Sequence, residues 1–412
     1  MEKYVGGSIA VICGSILFTT KYEMGKLKRA VNELIRLNDA LRIKVTEIDG
    51  TVNQEFMDYR EKDTEVLAFD SKSDLSAYAE EFAKIPLDLF GDLCEFKIIS
   101  LPDQSGVLIR LHHIIGDAWT LSLLCNQLYD LLSGRTPTAY SYAKYIQNES
   151  AYLSGKRYEK DKKFFMEQFG KCDEVTFLSE KTSASYSSLR KTFVIDHEKA
   201  RKIIDYAASI HSSPFMLFTA SLAAYINRTK MNAECFYIGT AVLNRSSATE
   251  KNTAGMFINT VPVLIELANE LSFHDNLSRI TDSVLSVFRH QKFNYGDLLA
   301  ALRSERHFED KLYDVMISYQ NATVNGECET AWYHSGMQTE SLQIHIDDRD
   351  NEGIFRIHYD YLLDRFTEKE IETLHCHLMN LLFGSIEEPS RKIGELRACL
   401  ESPRVCIAPA FF

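Results

Sequence analysis

Two adjacent histidines, His112 and His113, are followed four residues later by an aspartate, Asp117. A neutral imidazole can accept a proton from an amine or an alcohol near pH 7. The aspartate can orient the ring and the backbone, or it can pair with an arginine and hold the turn. A histidine pair alone is more often structural, satisfied by hydrogen bonds in a core. Two histidines, three spacers, an aspartate and a small residue form a much more specific pattern.

The residues around this pair predict a strand that leads directly into a helix. Residues 107–111 are almost entirely apolar, and leucines recur at helical spacing from Trp119 onwards. Proteins with α/β architecture place reactive groups at strand ends, because the scaffold there is rigid and the loop is open. The position of the histidines therefore favours a functional role.

Helical and strand-like patterns alternate along the rest of the chain. The predicted helices are Met24–Leu41, Trp119–Leu132, His197–His211, Pro214–Asn227, Phe273–His290 and Thr367–Leu382, the last with a Thr367-x-x-Glu370 capping box. The predicted strands are Ile9–Gly14, Arg42–Glu47, Phe96–Leu101, Gly106–His113, Leu189–Ile195, Phe236–Val242, Val261–Leu267, Tyr313–Tyr319, Ser341–Ile346 and Phe355–Tyr361. This alternation indicates an α/β protein.

A serine-rich segment, Ser179–Ser188, is the clearest break in composition, with five serines and one threonine in ten residues. Such a composition is typical of a linker or an exposed loop. The sequence on either side carries a similar mixture of strands and helices, and 412 residues suffice for two domains. We therefore expect two lobes, residues 1–180 and residues 181–412.

Composition excludes several classes of protein. A hydrophobic fraction of 45% and a charged fraction of 25% are typical of a folded globular chain. The net charge of −12 argues against duplex nucleic acid as the main ligand. No apolar run approaches the ~20 residues of a membrane-spanning helix, and the N-terminus shows no signal peptide. Nine scattered cysteines without a C-x-x-C pair indicate reduced thiols in a cytoplasmic protein, which we expect to be a monomer.

No cluster of residues has the spacing of a metal site. The segment His375-Cys376-His377 has suitable residue types, but it is predicted to be helical, and helix residues two apart face different ways. The isolated residues His290, His345 and His358 are better interpreted as structural histidines. We expect neither a bound metal nor a tightly bound cofactor.

The segment from His112 to Ala118 resembles the H-H-x-x-x-D-G motif of the condensation domains of nonribosomal peptide synthetases, a family related to chloramphenicol acetyltransferase. Further blocks resemble this family in the same order: Pro86-Leu87-Asp88-Leu89 with Gly91 and Leu93, Asn244-Arg245 with Gly255 to Pro262, His290-Gln291 with Leu298, Tyr313-Asp314-Val315-Met316 with Gln320-Asn321, and Tyr359-Asp360 with Phe366 and Ile371. Together the blocks extend over residues 86–382.

Three features depart from the family pattern. Ala118 replaces the usual glycine, and its Cβ is expected to restrict positive φ and to narrow the space beside His113. The usual opening helix, with its polar, glutamine-containing start, is missing. No segment resembles the adenylation or carrier domains that usually flank such a domain, so these neighbours either were removed or act as separate chains.

The resemblance implies two chloramphenicol acetyltransferase-like lobes, each a mixed sheet flanked by helices, in a V-shaped pseudodimer with His113 at the lobe interface. It implies amide formation, in which the amine of an acceptor aminoacyl thioester attacks a donor acyl thioester. His113 would be the catalytic histidine, either as base or as the group that positions the amine. His112 would face the other way and support the loop.

The family pattern also implies that Asp117 pairs with an arginine. Arg245 is the candidate, with a surface arginine as the alternative interpretation. Gly116 and the backbone N–H of Ala118 would line the site, and Trp119 would pack at the helix start or contact the ligand.

Two residues in the matched blocks, Asn259 and Gln320, could bind the pantetheine or the acyl group. The alternative role for both is to satisfy buried backbone groups.

The resemblance implies substrates carried on the phosphopantetheine arms of carrier proteins, or on CoA. The implied partners are an acceptor peptidyl carrier protein, a donor acyl-CoA or acyl carrier protein, and an adjacent adenylation domain if the chain belongs to a larger synthetase. Because the chain begins at Met1 with no carrier sequence before it, we expect a donor supplied in trans. This favours a starter condensation domain that joins a fatty acyl group to the first amino acid.

Other functions stay open at this point. An ordinary chain-extending condensation domain would take an aminoacyl or peptidyl donor. A stand-alone acyltransferase would use acyl-CoA and a free acceptor, and a non-catalytic docking domain would have a decayed site, against which the intact histidine pair argues. A heterocyclising relative would carry aspartates instead of that pair, and an epimerising relative would carry a glutamate-containing block that we do not find.

Overall fold

The computed structural model describes residues 6–172, 178–179, 181, 183–230, 233–308, 311–349 and 352–396. The helices are α1 Met24–Leu37, α2 Lys72–Ala83, α3 Ala118–Leu132, α4 Tyr142–Leu153, α5 Lys156–Phe169, α6 His197–Ser209, α7 Pro214–Thr229, α8 Ala248–Lys251, α9 Phe273–Arg289, α10 Tyr295–Arg306 and α11 Glu368–Glu387. None of the helices in these ranges is long and apolar enough to cross a membrane.

The strands alternate with these helices along the chain. They are β1 Val11–Phe18, β2 Ile43–Ile48, β3 Thr51–Phe56, β4 Val66–Ala68, β5 Cys94–Ser100, β6 Ser105–His112, β7 Ser188–Ile195, β8 Cys235–Val242, β9 Asn259–Glu266, β10 Val315–Gln320, β11 Cys328–Tyr333, β12 Leu342–Asp347 and β13 Phe355–Leu362.

The chain forms two compact units, and each is built from three segments. Unit 1 contains Met1–Ser154, Leu243–Ile258 and Ala322–Met337, and unit 2 contains Gly155–Val242, Asn259–Asn321 and Gln338–Phe412. The expected boundary between residues 180 and 181 therefore lies inside unit 2 rather than between the units. Composition marks local loops, whereas the units are defined by two segments that return to unit 1 from far along the chain.

Unit 1 is built on a five-stranded sheet in the order β11-β1-β6-β5-β4. Its central strand β6 is buried along its whole length and pairs antiparallel with β1 and β5. Helices α1 and α3 share a core with one face of β6, where Leu27 and Leu124 cluster with Ile109. Because strand side chains alternate, Leu108 points to the other face, where it clusters with Leu75 of α2. β6 is thus held between two layers of helices.

Unit 2 is built on a six-stranded sheet in the order β7-β13-β12-β10-β8-β9. Strand β10 is parallel to both of its neighbours, and the other pairs are antiparallel. Helices α7, α9 and α11 contribute Phe218, Ile280 and Leu378 to the core, which also contains Ile344 of β12. The predicted fold class, mixed sheets flanked by helices, is confirmed.

The two units contain the same strand–turn–helix arrangement. In unit 1 β6 ends at His112 and α3 begins at Ala118. In unit 2 β13 ends at Leu362 and α11 begins at Glu368, which is 250 residues further along the chain in both cases. In both loops the backbone N–H three residues after the strand end donates to the carbonyl of the last strand residue at 3.0 Å.

The helix caps at these two positions also correspond. The N-cap Asp117 accepts a hydrogen bond from the backbone N–H of Thr120, and the N-cap Thr367 accepts one from the N–H of Glu370. The Glu370 side chain returns to the N-cap backbone, which completes the predicted capping box.

One predicted helix is shorter than its apolar pattern suggested. The helix predicted over Met24–Leu41 ends at Leu37. Its C-cap, Asn38, adopts an extended backbone, and its side-chain amide donates to the carbonyl of Leu34 at 2.9 Å. A 3-10 turn over Asp39–Arg42 then continues the apolar spacing without an α-helix.

Candidate active site

The histidine pair lies where the buried strand β6 ends and its loop begins. His112 is the last residue of β6. The backbone N–H of His113 donates to the carbonyl of Ala10 at 2.6 Å, which continues the contact with the β1 side of the sheet. A centrally placed strand and the helix that follows it therefore fix the backbone of the loop from both ends.

The side chain of His112 is buried and stabilises the turn. Its Nδ1 accepts a hydrogen bond from the backbone N–H of Ile114 at 3.0 Å. A neutral imidazole that accepts at Nδ1 carries its proton on Nε2. This contact agrees with the supporting role expected for His112.

His113 is half-buried at the open end of the strand. Burial lowers the pKa of its imidazole, while the negative charge of Asp117 and the nearby carbonyls of His113 itself and Gly116 act in the opposite direction. Because the net effect is a lowered pKa, the ring is mainly neutral near pH 7 and offers a lone pair. A neutral imidazole at this position can accept a hydrogen bond or a proton from an amine.

Asp117 forms a fully buried ion pair with Arg245. The Arg245 Nη1 donates to Asp117 Oδ2 at 2.6 Å, and both side chains have 0% exposure. The same oxygen accepts the backbone N–H groups of Phe257 and Ile258, at 3.0 and 3.2 Å. Arg245 is thus the partner expected from the sequence, and the role of this pair in a reaction stays a prediction.

The electrostatics of Asp117 are determined by these contacts. Burial by itself would raise the pKa of the carboxyl group, but the charge and hydrogen bond of Arg245 and the backbone donors lower the pKa below its usual value. The carboxylate is therefore ionised near pH 7, and the loop contains a permanent negative charge close to His113.

Arg245 attaches the returning segment Leu243–Ile258 to the start of α3. Its Nη2 donates to the carbonyl of Gly255 and to Thr120 Oγ1, both at 3.1 Å. Its guanidinium lies 3.9 Å from the ring centroid of Phe257. The ion pair is therefore the centre of a small network that joins distant parts of the chain.

Asn244 shapes this segment, although its role was not foreseen. Its φ of 52° lies in the left-handed region, which asparagine tolerates better than most residues. Its side-chain amide donates to the carbonyl of Phe257 at 3.1 Å. The Asn244-Arg245 pair therefore turns the backbone with its first residue and forms the buried ion pair with its second.

The remaining loop residues of unit 1 have clear positions. Gly116 is buried, and a Cβ at this position would lie 3.1 Å from Leu111 Cδ1 and 3.2 Å from Thr120 Cγ2. Trp119 is half-buried and donates its indole N–H to the carbonyl of Lys251 at 2.9 Å. Trp119 thus packs at the helix start, as the first of its two interpretations expected.

Ala118 corrects one expectation. It is the first residue of α3 and has helical backbone angles rather than a positive φ. Since an L-residue adopts this conformation without strain, the freedom of glycine is not needed at this position. The expected restriction from positive φ is therefore wrong.

The candidates of unit 2 have partners within that unit. Asn259 donates its amide to the carbonyls of Gln291 and Phe293, at 2.9 and 2.7 Å. Gln320 is half-buried and donates to Ser318 Oγ at 3.2 Å. Both contacts favour the structural alternative for these side chains, and their substrate-binding role stays a prediction.

Three further histidines of unit 2 pair with buried or half-buried polar groups. Their Nδ1 atoms contact Asp161, Ser318 and Thr192 at 2.7, 2.7 and 2.8 Å, respectively for His290, His345 and His358. These contacts are those of structural histidines. Among the residues that the structure describes, no group of three or more His, Cys, Asp or Glu side chains is arranged to hold a metal ion.

The structure brings together in unit 1 all of the loop candidates and their arginine, which are His112, His113, Gly116, Asp117, Ala118, Trp119 and Arg245. Sequence reasoning missed Thr120, whose hydroxyl donates to the carbonyl of Gly255 at 2.7 Å and accepts from Arg245. Its position at N3 of the helix, opposite a buried arginine, is the only signal that could have indicated it.

A mixed α/β fold with a strand-end histidine pair beside a buried ion pair is the architecture of a histidine-dependent acyltransferase. The family model described as Condensation domain matches residues 7–403. The chain belongs to the condensation domain family, whose members are amide-bond-forming acyltransferases.

The chain is similar to segments of much longer synthetases. A plipastatin synthase of Bacillus subtilis (strain 168) is 28% identical over 408 residues, which cover 94% of this chain and 16% of that protein. Surfactin synthase subunit 1 of the same organism is 28% identical over 392 residues, which cover 90% of this chain and 11% of that protein. The chain thus spans less than a fifth of the length of these relatives.

Solved structures of similar fold are condensation domains. The starter condensation domain of rhizomide synthetase, a mutant in complex with C8-CoA, has a TM-score of 0.85 at 16% identity and covers 96% of this chain and 94% of that one. The first condensation domain of the CDA synthetase has a TM-score of 0.82 at 16% identity and covers 95% of this chain and 94% of that one. These likenesses show that the chain has the condensation-domain fold.

Proposed function

We propose that this protein is a starter condensation domain that joins a donor acyl group to the amine of an aminoacyl thioester. The observation that carries the proposal is the position of His113. It is a half-buried imidazole at the open end of β6, beside a carboxylate that a buried arginine neutralises. This arrangement supports proton transfer at a single reacting amine.

The proposed reaction forms one bond and breaks one. The amine nitrogen of the acceptor attacks the carbonyl carbon of the donor thioester, and a C–N bond forms. The tetrahedral oxyanion then collapses, the C–S bond breaks, and the thiolate leaves. His113 holds the amine by accepting its hydrogen bond, takes the proton that the nitrogen loses, and returns it to the thiolate. The lowered pKa of His113 keeps the ring in the neutral form that this step needs.

The ion pair acts on this chemistry indirectly. Asp117 and Arg245 hold the loop and the start of α3, and both side chains are buried. Gly116 and the backbone N–H of Ala118 are proposed to line the site of the tetrahedral oxyanion, where backbone donors stabilise developing charge.

The proposed donor is a fatty acyl group on CoA or on an acyl carrier protein. The likeness to a starter condensation domain solved with C8-CoA supports this choice. The proposed acceptor is an aminoacyl group on the phosphopantetheine arm of a peptidyl carrier protein. Since the related synthetases are several times longer than this chain, an adjacent adenylation domain is a further proposed partner.

We propose that the protein acts in the cytoplasm as a monomer. The cysteines that the structure describes are free thiols, which is typical of a reducing compartment. Light scattering of the purified chain tests the oligomeric state, because a monomer has a mass of 47.1 kDa.

The proposed function can be tested by offering the protein two kinds of donor. Fatty acyl-CoAs of several lengths, and separately an aminoacyl carrier protein, are mixed with a carrier protein loaded with an amino acid. Mass spectrometry of the acceptor arm should detect the N-acyl aminoacyl product with acyl-CoA. His113→Ala should abolish the product, whereas His274→Ala, which removes an exposed histidine of α9, should not.

Each other outcome identifies a different function. Product from the aminoacyl donor alone would show a chain-extending domain. Acylation of free amino acids as readily as of the loaded carrier would show a stand-alone acyltransferase. No product with any donor would favour a docking domain.

A further inference from the structure

The start of α3 in unit 1 is covered by a segment from far along the chain. Three residues of its first turn bond to Leu243–Ile258. Asp117 pairs with Arg245 at 2.6 Å, and the side chains of Trp119 and Thr120 donate to backbone carbonyls of this segment at 2.9 and 2.7 Å. A polypeptide segment thus fills the surface beside the N-terminus of this helix.

The corresponding surface of unit 2 is an open cleft. The residues 250 positions further on are Thr367, Lys369 and Glu370, and all three line a cleft with a volume of about 680 Å³. The opposite wall comes from the end of α7, including Tyr225. The internal correspondence of the two loops therefore places the cleft where unit 1 holds the segment Leu243–Ile258.

The charge of this cleft is opposite to that of its counterpart. Four cationic side chains line it, from Lys181, Lys230, Arg365 and Lys369, together with one acidic side chain, from Glu370. In unit 1 the helix supplies the anion, Asp117, and the segment supplies the cation. In unit 2 the N-cap is an uncharged threonine and the lining is mostly basic, although the chain as a whole has a net charge of −12.

The cleft also has apolar walls. Phe366, Leu374 and the ring of Tyr225 contribute to the lining. In unit 1 the covering segment uses one charged and one aromatic side chain, Arg245 and Phe257, whose groups stack at 3.9 Å. A segment that fits the cleft of unit 2 would by the same logic combine an acidic side chain with an apolar one.

We propose that this cleft binds an acidic segment of a partner polypeptide, anchored by an apolar side chain. The segment would occupy the place that Leu243–Ile258 occupies in unit 1. The residues after 396 do not provide this chemistry, since Arg397 and Arg404 outnumber Glu401. Opposite charge across such a surface favours fast association and correct orientation of the partner.

Peptide binding tests the proposal independently of catalysis. A short fluorescein-labelled peptide of glutamate, leucine and phenylalanine, and a matched peptide with glutamine in place of glutamate, are titrated with the full chain by fluorescence anisotropy. The acidic peptide should bind, its affinity should fall with added salt, and the glutamine peptide should bind at least about tenfold more weakly.

Charge-reversal variants locate the binding site. Lys230→Glu combined with Lys369→Glu should weaken the acidic peptide by about tenfold or more. The control Lys163→Glu reverses a lysine that is 77% exposed on α5 of the same unit and should leave the affinity unchanged. Circular dichroism confirms that the variants are folded.

A photo-crosslinking version of the acidic peptide gives the second measurement. Crosslinks mapped by mass spectrometry to the end of α7 or the start of α11 are expected. Crosslinks elsewhere, equal binding of both peptides, or an equal effect of all variants would overturn the proposal. Displacement of the peptide by equimolar inorganic pyrophosphate would also overturn it, because the cleft would then be a site for small anions.

Discussion

Replacing Asp117 with alanine should lower the free energy of unfolding of unit 1 by about 3–5 kcal/mol. The carboxylate has 0% exposure and accepts four hydrogen bonds, from Arg245, Thr120, Phe257 and Ile258, at 2.6, 2.8, 3.0 and 3.2 Å. Alanine would leave the guanidinium charge buried without a counter-charge, and this uncompensated charge accounts for most of the loss. Asp117→Asn retains an oxygen for the helix cap and should cost less, about 1.5–3 kcal/mol.

Tryptophan fluorescence gives an assay that is specific for unit 1. The chain has two tryptophans, Trp119 and Trp332, and both lie in unit 1. Trp119 also bonds directly to the returning segment through the carbonyl of Lys251. Urea unfolding followed by this fluorescence therefore reports the free energy that the ion pair changes.

A matched control comes from the same helix. Asp130 pairs with Arg135 at the surface, where its side chain is 35% exposed, so Asp130→Ala should cost less than about 1 kcal/mol. If Asp117→Ala unfolds with the same free energy as Asp130→Ala, the buried pair does not hold unit 1 together and the reasoning fails.

The pH dependence of the same measurement follows from the lowered pKa of Asp117. A carboxyl group whose folded pKa lies below its unfolded value of about 3.9 contributes stability above that pH and loses it as the pH falls towards the folded pKa. The difference between the wild type and Asp117→Asn should therefore be constant between about pH 5 and pH 7 and shrink below about pH 4. A difference that grows on acidification would contradict this sign.

Three other outcomes are expected. His113→Ala should reduce amide formation by about 10²–10⁴-fold while urea unfolding stays as in the wild type, and full turnover by mass spectrometry would exclude it as the catalytic group. Gly255→Ala would place a Cβ 2.2 Å from the ring of Tyr142, so the free energy of unfolding of unit 1 should fall by about 1–3 kcal/mol, and wild-type stability would show that the ring yields. His290→Ala removes a 2.7 Å contact to Asp161, which is fully buried, and should destabilise unit 2 by about 1–3 kcal/mol in circular dichroism without changing the tryptophan signal.

Elements with strong local signals were predictable from the sequence. Helix α9, Phe273–Arg289, was predicted to within one residue because its apolar residues form one continuous face. The capping box at Thr367 fixed the start of α11. Strand β6 was clear because it is buried on both faces and ends at a polar pair.

Elements with weak local signals were missed. Helix α4, Tyr142–Leu153, buries only its first residue, so its sequence lacks an apolar face. Helix α5, Lys156–Phe169, is dominated by charged residues. The strands Val66–Ala68 and Cys328–Tyr333 are edge strands, one very short and the other paired with β1 from more than 300 residues away. Periodicity within a window cannot detect such pairings.

The candidate site divides in the same way. The histidine pair and Asp117 are close in sequence and were found together. The pairing with Arg245 spans 128 residues, and only the resemblance to a family suggested it. The roles of Thr120 and Asn244 depend on how a distant segment packs, and no property of the sequence near them indicates this.

The three-segment construction of unit 1 determines when the protein can acquire its active site during synthesis. Arg245 leaves the ribosome 128 residues after Asp117, so the emerging chain must first expose the loop without its counter-charge. The strand that covers the edge of β1, Cys328–Tyr333, is synthesised later still, and an uncovered edge is a site for wrong pairing. A nascent chain that stops near residue 180 would lack both segments. Formation of the histidine loop is therefore a late event in translation, and unit 1 cannot finish folding before much of unit 2 has been made.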